Sequence, residues 1–286
     1  MGLEASAAPG FEGPGKPSDI VGAMPEGVEL AVQVVNYRTR RYLERCVETV
    51  VSDLQRGTLR YEINLLDNAS GEDLGDLASS VAHCRAFSAP ANLGFGGGHN
   101  LLATKTAAPH VLILNPDVEL VEPDSIARLL ALMRADDRVQ AVGPKLVLPD
   151  GSGQPYDHGR LHGLRAQVAL KGGHSYWRET SVRQEVAWVS GGAMVIDRLA
   201  FAGLGGFDEQ LFLYKEDEDL CLRLREAGGI VVYEPSVTIR HVGSVVTDRH
   251  RDLDTATSYF FAKHYAGHRS RKAFAAAHQT LAYLRL

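Results

Sequence analysis

Cysteine is scarce in this chain, with three among its 286 residues. Cys46, Cys84 and Cys221 are far apart in sequence and form no CxxC pair. This spacing argues against both a disulfide framework and a structural zinc site. Because free cysteines are typical of a reducing compartment, we expect a cytoplasmic protein.

Long apolar runs and an excess of one charge are lacking as well. No segment approaches the roughly 18 to 20 apolar residues that a membrane-spanning helix requires. The 30 Lys and Arg residues against 35 Asp and Glu residues give a formal net charge of −5, which does not suggest a nucleic-acid partner. Residues 1–27 are rich in Gly, Ala and Pro without the features of a signal peptide, so we predict a disordered leader there.

The sequence does contain an alternation of apolar strands and amphipathic helices. The run ELAVQVV at 29–35 is typical of a buried strand, and helical spacing of apolar residues follows from Thr39 onward. The alternation predicts an α/β fold, with a mostly parallel, Rossmann-like sheet and flanking helices over 28–250. A C-terminal helical extension is predicted over 251–286. The other predicted strands lie at 62–66, 110–114, 139–148, 185–196, 230–233 and 237–240, and Pro144 either interrupts the strand at 139–148 or places it on an edge. Predicted helices lie at 99–108, 123–135 and 216–227. Residues 149–185 have little periodicity and are too long for a simple connection, so we expect a substrate-facing loop or a partly ordered flap there.

Polar residues gather where three of the predicted strands end. They are Asn36 and Tyr37, Asp67 and Asn68, and Asn115 and Asp117. In open α/β sheets, ligands bind in the crevice at the carboxyl ends of the strands, so we expect these side chains to face one site. For the segment DNAS at 67–70 alone, the alternative is an Asx-turn that only stabilises a loop.

The glycine-rich segment NLGFGGGHN, residues 92–100, does not fit the usual phosphate-binding fingerprints. After Gly94 and Gly96, a dinucleotide motif requires a third glycine where His99 stands, and the chain has no GxxxxGK[ST] loop. A glycine-rich loop before a helix still lets backbone amides approach a ribose or a diphosphate. A plain flexible turn is the alternative.

Metal binding and proton transfer have candidates at three places. Asp117, directly after a buried strand, suits a divalent cation that bridges two phosphates, or it is a turn or cap residue. His241 is a second ligand, or else a surface or core histidine. Acids open the helix at 216–219, where the helix dipole alone favours negative charge. Crowding also raises the pKa of a carboxylate, which suits a general base that takes a proton from an alcohol.

A family resemblance is carried by a series of segments taken in order. They read VVNYRTRRYLERCVETV, LLDNAS, NLGFGGGHN, LILNPDVEL, VSGGAMVI, FDEQLFLYKEDEDLCLRLREAGG and YEPSVTIRHVG. Together they closely resemble glycosyltransferase family 2, and within it the rhamnosyltransferase-like branch. The resemblance runs from about residue 29 to 243, and the predicted helical tail is also similar to that branch.

The resemblance implies a GT-A fold and an inverting displacement at the anomeric carbon of a sugar. The segment NPD stands where the family has its DXD motif, so Asp117 would bind Mg²⁺ or Mn²⁺ and the donor diphosphate. Asn115 replaces the first acid, which implies a weaker metal site or a water-mediated contact. His241 matches the late histidine of the family as a metal or phosphate ligand.

The resemblance also assigns the remaining roles. Asp217, after Glu216 in the ED pair of the family, would be the general base. Gly191 and Gly192 match the turn that shapes the acceptor and sugar pocket, to which we add Trp188. The donor base and ribose would be held by Asn36, Tyr37, Asp67 and Asn68, with Asn92, Gly94 and Asn100 nearby.

The implied reaction is transfer of a sugar from a dTDP- or UDP-sugar, dTDP-rhamnose among them, to a hydroxyl of a glycan, a lipid-linked glycan or a natural product. A metal-dependent nucleotidyltransferase is an alternative, but the chain lacks a GxG-x-R-x₆-K-type loop near its first strand. A catalytically degenerate sugar- or nucleotide-binding scaffold is the other, and Asn115 is its only support. The basic, aromatic tail would either dock peripherally on the inner face of an anionic membrane or form the face of a homodimer.

Overall fold

The computed structural model describes residues 20–21, 26–160, 177–243 and 249–265. Its strands are β1 (Ile20–Val21), β2 (Leu30–Asn36), β3 (Tyr61–Asp67), β4 (Cys84–Ser88), β5 (His110–Leu114), β6 (Val118–Leu120), β7 (Val139–Val147), β8 (His158–Gly159), β9 (Gln184–Glu185), β10 (Trp188–Val189), β11 (Ala193–Asp197) and β12 (Ile230–His241). Its helices are α1 (Arg40–Leu54), α2 (Gly75–Ser80), α3 (Gly94–Ala103), α4 (Ser125–Ala135), α5 (Arg198–Gly203), α6 (Glu216–Glu226) and α7 (Arg249–Tyr265). Within these ranges, no helix has both the length and the apolar character needed to cross a membrane.

One large mixed sheet organises the chain. Its strand order is β1-β4-β3-β2-β5-β11-β7-β12-β6, and β9 also pairs with β12. Strands β8 and β10 form a separate, antiparallel two-stranded sheet. The strands β4, β3, β2 and β5 run parallel to one another, as do β7 and β12. Strand β11 lies antiparallel between β5 and β7 and joins these two parallel groups. The predicted α/β fold with flanking helices is confirmed, with parallel pairing confined to the two groups.

Both faces of the sheet are covered by helices, which explains the nearly continuous apolar strands. On one face, Leu30, Val32 and Val34 of β2 pack in a cluster that includes buried residues of α1 and α4. On the other face, Ala31 of the same strand belongs to a cluster with Phe201 of α5 and residues of α6. Alternate residues of one strand therefore serve two separate cores.

Three elements differ from their sequence-based prediction. Helix α3 begins at Gly94, five residues before the predicted start at residue 99, because its glycines allow close packing. A Cβ on Gly96 would lie 2.7 Å from the side chain of Phe207, and one on Gly98 would lie 2.8 Å from that of Val35. The predicted strand over 185–196 is three short strands, β9, β10 and β11, and the two strands predicted after residue 229 form the single strand β12.

Pro144 lies inside strand β7, where the sequence predicted an interruption or an edge. Strand β11 pairs with β7 only at Ala141 and Val142. On the other side of β7, the register with β12 shifts between Glu234 and Thr238, directly after the Pro144 position. The missing amide hydrogen of proline is thus tolerated where the pairing with β11 has ended and the pairing with β12 is interrupted by a bulge.

Parts of the predicted segments fall outside the described residues. These are most of the leader (1–19 and 22–25), residues 161–176 of the predicted substrate-facing loop, and the tail from 266 onward. Within the predicted leader, Ile20 and Val21 form β1, antiparallel to β4. The domain boundaries drawn from the sequence stay predictions.

Helix α4 begins on a carboxylate from another helix. Its N-cap residue, Asp124, makes no side-chain capping hydrogen bond. Instead, the amides of Ser125 and Ile126 each donate to a different carboxylate oxygen of Asp53 in α1, both at 3.0 Å. Asp53 therefore satisfies the first free amides of α4 and fixes α1 against it.

We expect Asp53→Ala to lower the free energy of unfolding by about 1 to 2 kcal/mol, because it leaves two buried amide donors at the start of α4 without an acceptor. Urea denaturation measures this loss. The control is Glu48→Ala, which removes an exposed acid from the same helix and should cost about 0 to 1 kcal/mol. Equal losses in the two variants would contradict the capping role.

Candidate active site

The ends of neighbouring strands bring the predicted polar residues to one edge of the sheet. Asn36 and Asp67 are paired in register at the ends of β2 and β3. Asn115 directly follows β5. Its backbone amide donates to the carbonyl of Gly192, just before β11, at 3.0 Å. His241 ends β12 and pairs with Val118, next to Asp117. The edge thus runs from the parallel strands across β11 to β12.

The side chains at the ends of β2 and β3 form hydrogen bonds with residues of the loops that follow these strands. Asn36 is fully buried; its amide nitrogen donates to Glu72 at 2.7 Å and its oxygen accepts from the Thr39 hydroxyl at 2.9 Å. Asp67 accepts from the amide and hydroxyl of Ser70 and, at 3.0 Å, from the amide of Gly71. The Asx-type loop considered from the sequence is therefore present, at the same edge as the other predicted residues.

Asn68 holds the glycine-rich turn against this edge. Its side-chain oxygen accepts from the amide of Leu93 at 2.9 Å, and its nitrogen donates to Asn92 and to the carbonyl of Gly94, each at 3.0 Å. Gly94 has a φ of +73°, and a Cβ there would collide with the backbone of Phe212. The turn therefore requires glycine at this position.

The other residues predicted for the donor and sugar pockets occupy different surroundings. Tyr37 is half-buried, and the guanidinium of Arg38 lies 5.2 Å from its ring centroid. Asn100 binds the backbone of Phe207 in both directions, at 2.8 and 2.9 Å. Trp188 is buried in the core at the start of β10, where it pairs with Gly159. The structure places Tyr37 beside the edge and gives Asn100 a contact with the loop that precedes α6.

A possible cation position is formed where β5 and β12 end. His241 Nε2 lies 3.2 Å from Asp117 Oδ1 and 3.1 Å from Asn115 Nδ2. His241 Nδ1 lies 2.7 Å from Gln154 Oε1, which can only accept, so Nδ1 carries a proton; in the neutral imidazole, Nε2 then presents its lone pair. The second carboxylate oxygen of Asp117 accepts from the amide of Gly243 at 3.1 Å.

This set of donors fits a divalent cation that shares its coordination with a ligand. An imidazole nitrogen and a carboxylate oxygen already face each other, and the Asn115 side-chain amide can turn its oxygen towards them. Among the described residues, no group of three or more His, Cys, Asp and Glu side chains could enclose a metal. Phosphate oxygens and water would therefore have to complete the coordination.

Asp217 lies in the first turn of α6, where its carboxylate is held by two backbone amides. One oxygen accepts from Gly191 at 3.0 Å and the other from Glu218 at 2.7 Å. Burial raises the pKa of Asp217, although these two hydrogen bonds oppose the shift. A carboxylate with a raised pKa is a stronger base towards a hydroxyl group.

The glycine pair between β10 and β11 links Asp217 to the cation position. A Cβ on Gly191 would lie 3.0 Å from the Phe95 ring and 3.5 Å from Asp217 Cβ. A Cβ on Gly192 would lie 3.5 Å from His241 Cε1. The turn therefore touches Asp217 on one side and His241 on the other, without a side chain between them.

Two of the four acids that open α6 are bound by cationic side chains. Glu218 pairs with Lys215, and Asp219 is bound by Arg223 at 2.8 Å, Lys263 at 2.7 Å and His264 at 2.6 Å. Glu216 is also buried, but its Oε2 has no hydrogen-bond partner within the described part of the chain. Burial, and next the negative charge of Asp217, raise the pKa of Glu216 well above its ordinary value.

Two sets of contacts could not be found by sequence reasoning. Gln154, which fixes the tautomer of His241, lies in the segment without periodicity, where the only signal was its length. Lys263 and His264, which bind Asp219, lie in the predicted tail, and the link between His264 and Asp219 spans 45 positions. No local pattern encodes such pairings, because they depend on how α6 and α7 pack.

Solved glycosyltransferases share this architecture. The structure of GalNAc-T7 with UDP, GalNAc and Mn²⁺ superimposes with a TM-score of 0.62 at 17% identity, over 83% of this chain and 48% of that one. The mannosyltransferase PcManGT from Pyrobaculum calidifontis, in complex with GDP-Man and Mn²⁺, gives 0.52 at 15% identity, over 92% of this chain and 83% of that one. The chain therefore has the GT-A glycosyltransferase fold.

Sequence comparison places the chain within that class. A family profile described as "Glycosyltransferase like family 2" matches residues 25–265. The N-acetylglucosaminyl-diphospho-decaprenol L-rhamnosyltransferase of Mycobacterium tuberculosis is 32% identical over 235 residues, which cover 74% of this chain and 75% of that protein. The chain belongs to glycosyltransferase-like family 2, and within it is similar to rhamnosyltransferases.

The contacts of Asp219 predict a pH dependence of stability. Burial alone would raise its pKa, but the hydrogen bonds from His264 and Lys263 and the charge of Arg223 hold it at about 2, below the roughly 3.9 of an unfolded chain. The folded protein thus binds this proton less readily, so the stabilisation is complete above about pH 4 and is lost as the pH falls towards 2.

We therefore expect the stability difference between wild type and Asp219→Asn to shrink as the pH falls from about 5 to about 3. Urea denaturation at several pH values measures it. Glu226→Gln, an exposed acid at the end of the same helix, should show no comparable trend. A difference that stays constant over this range would contradict the assigned pKa.

Proposed function

We propose that the protein is an inverting glycosyltransferase that moves a sugar from a nucleoside diphosphate to an acceptor hydroxyl. Asp217 takes the proton of the acceptor hydroxyl, and the oxygen then attacks the anomeric carbon from the face opposite the diphosphate. The bond from the sugar to the diphosphate breaks, and the leaving group needs no proton of its own. The observation that supports this proposal is the location of Asp217. Its carboxylate accepts a hydrogen bond from the Gly191 amide and lies on the opposite side of the Gly191–Gly192 turn from His241.

Asp117 and His241, with Asn115 beside them, would hold a divalent cation and the donor diphosphate. A bound Mg²⁺ or Mn²⁺ would offset the negative charge that develops on the leaving diphosphate. The proton on His241 Nδ1, accepted by Gln154, keeps Nε2 available to a cation. The Mn²⁺ in the GalNAc-T7 and PcManGT structures supports a metal in this role.

The end of the parallel strands would receive the nucleoside. Tyr37 offers a ring for the base, while Asn36, Asp67 and Asn68 shape the pocket by ordering the surrounding loops. In this proposal Asn92, Gly94 and Asn100 border the donor through the same turn and helix α3. Gly191, Gly192 and Trp188 would shape the sugar and acceptor side. Glu216 lies beside the base, and burial raises the pKa of its carboxyl.

The similarity to the mycobacterial rhamnosyltransferase supports rhamnose as the transferred sugar, and we propose dTDP or UDP as the nucleotide that activates it. The acceptor named for that relative is a sugar linked through diphosphate to a long lipid. We propose an acceptor of the same kind, a lipid-linked glycan. Such an acceptor would place the protein, by peripheral contact, at the inner face of the membrane.

We expect UDP or dTDP to raise the melting temperature of the purified protein, and Mn²⁺ or Mg²⁺ to increase that shift, because a ligand bound to the native state stabilises it. The screen compares UDP, dTDP, GDP, CMP, NAD and ATP, each with and without metal. ATP and NAD serve as controls for general nucleotide binding. If no nucleoside diphosphate gives a shift under any metal condition, a degenerate scaffold becomes the better account.

Two substitutions separate the roles of Asp217 and Asp117. We expect Asp217→Asn to lower kcat by about 10² to 10⁴ while the nucleotide-dependent thermal shift persists, because the amide cannot accept the proton. Asp117→Ala should abolish the metal-dependent part of that shift, because one oxygen ligand is lost. Glu226→Gln, on the same helix as Asp217, is the matched control. Near wild-type turnover in Asp217→Asn would refute the base assignment.

A further inference from the structure

Helix α7 packs against the helix that carries Asp217, although the reaction described above uses no residue of α7. Phe260 is fully buried in a small cluster with Leu211, Leu222 and Ala256. Leu222 belongs to α6, and Leu211 belongs to the loop that leads into it. The apolar contact therefore joins α7 to both the loop and the helix.

Lys263 of α7 forms a bridge between two carboxylates. Its ammonium nitrogen lies 2.7 Å from Asp208 Oδ2 and 2.7 Å from Asp219 Oδ1. The Tyr259 hydroxyl also donates to Asp208, at 2.9 Å, and His264 Nε2 lies 2.6 Å from Asp219. Asp219 is fully buried, where an ion pair is screened less by solvent than on the surface.

The two bridged acids lie at the ends of the segment that carries the proposed base. Asp208 lies in the loop before α6, and Asp219 lies in the first turns of that helix, two residues after Asp217. Between them, Tyr214 and Lys215 have left-handed φ values of 72° and 70°. Backbone in that region is unfavourable for residues other than glycine, so surrounding contacts must hold it there.

The same segment reaches the acceptor side of the site. The amide of Phe95 donates to the carbonyl of Phe212 at 3.0 Å, and the Phe95 ring packs against Gly191. Gly191 in turn donates to Asp217. A shift of the segment 208–219 would therefore move both the Asp217 carboxylate and the surface that surrounds it.

We propose that Lys263 is a positioning residue for Asp217: by bridging Asp208 and Asp219, it holds the segment 208–219 so that the Asp217 carboxylate stays on the Gly191 amide. The inference rests on the proposed function for the role of Asp217 as base. Without Lys263, Asp219 keeps Arg223 and His264, and Asp208 keeps Tyr259. Loss of Lys263 should therefore loosen this segment while the fold persists.

The test compares hydrogen–deuterium exchange of wild type, Lys263→Met and Lys263→Arg, followed by mass spectrometry. We expect Lys263→Met to speed exchange in peptides that cover 189–193 and 208–222, because the amides of Gly191 and Glu218 both donate to Asp217. Lys263→Arg, which keeps a cation able to reach two carboxylates, should restore slow exchange. Arg134→Met, which removes a remote ion pair with Glu29, is the control and should leave both peptides unchanged.

Kinetics supply the second readout. We expect Lys263→Met to lower kcat about 10- to 100-fold, since a small misplacement of a catalytic group costs about this much. The metal-dependent nucleotide shift should stay at its wild-type size, because Asp117 and His241 are not attached to the segment. Lys263→Arg should recover most of the rate.

Two results would overturn the proposal. One is unchanged exchange at 189–193 in Lys263→Met, and the other is faster exchange throughout β2 and β3, which would indicate general destabilisation. The exchange experiment needs no substrate, so its result tests the Lys263 bridge even if the wild type binds no nucleoside diphosphate. Failure of the proposed function and failure of the Lys263 bridge therefore give different results.

Discussion

The hydrogen bond between the Gly191 amide and the Asp217 carboxylate is the contact on which the geometry of the site depends. It joins the turn before β11 to the first turn of α6, two parts of the chain that share no secondary structure. The same turn contacts His241 through Gly192, and the backbone amide of Asn115 donates a hydrogen bond to the Gly192 carbonyl. A side chain at either glycine would crowd the groups that this turn brings together.

The four acids at the start of α6 differ in their cationic partners, and this difference suits the proposed reaction. Glu218 and Asp219 have cationic partners and serve to anchor the helix. Glu216 and Asp217 have none of these partners, and burial raises the pKa of both. The ion pairs therefore stabilise the helix at the positions next to the base, while the base itself keeps an affinity for a proton.

The sequence predicted the strand ends of the site well, because a run of buried β-branched residues followed by a polar residue is a local pattern. Asn36, Asp67, Asn115 and Asp117 do lie along one edge of the sheet. Helix α3 began earlier than predicted because glycine has a low helix propensity, whereas here close packing outweighs it. The strand predicted over 185–196 was divided because an apolar run does not reveal where the chain turns between sheets. The partners of His241 and Asp219 lie far away in sequence, and only the packing of β12 and α7 brings them together.

The strand order of the sheet has a consequence for the order in which the site is completed along the chain. The parallel strands β2, β3 and β5, which border the proposed nucleoside pocket, all come from the first half of the sequence. The cation position needs His241 at the end of β12, and the anchors of α6 come later still, from α7. During synthesis, the strands that border the proposed nucleoside pocket are therefore made first, and the residues that anchor the helix of the proposed base are made last.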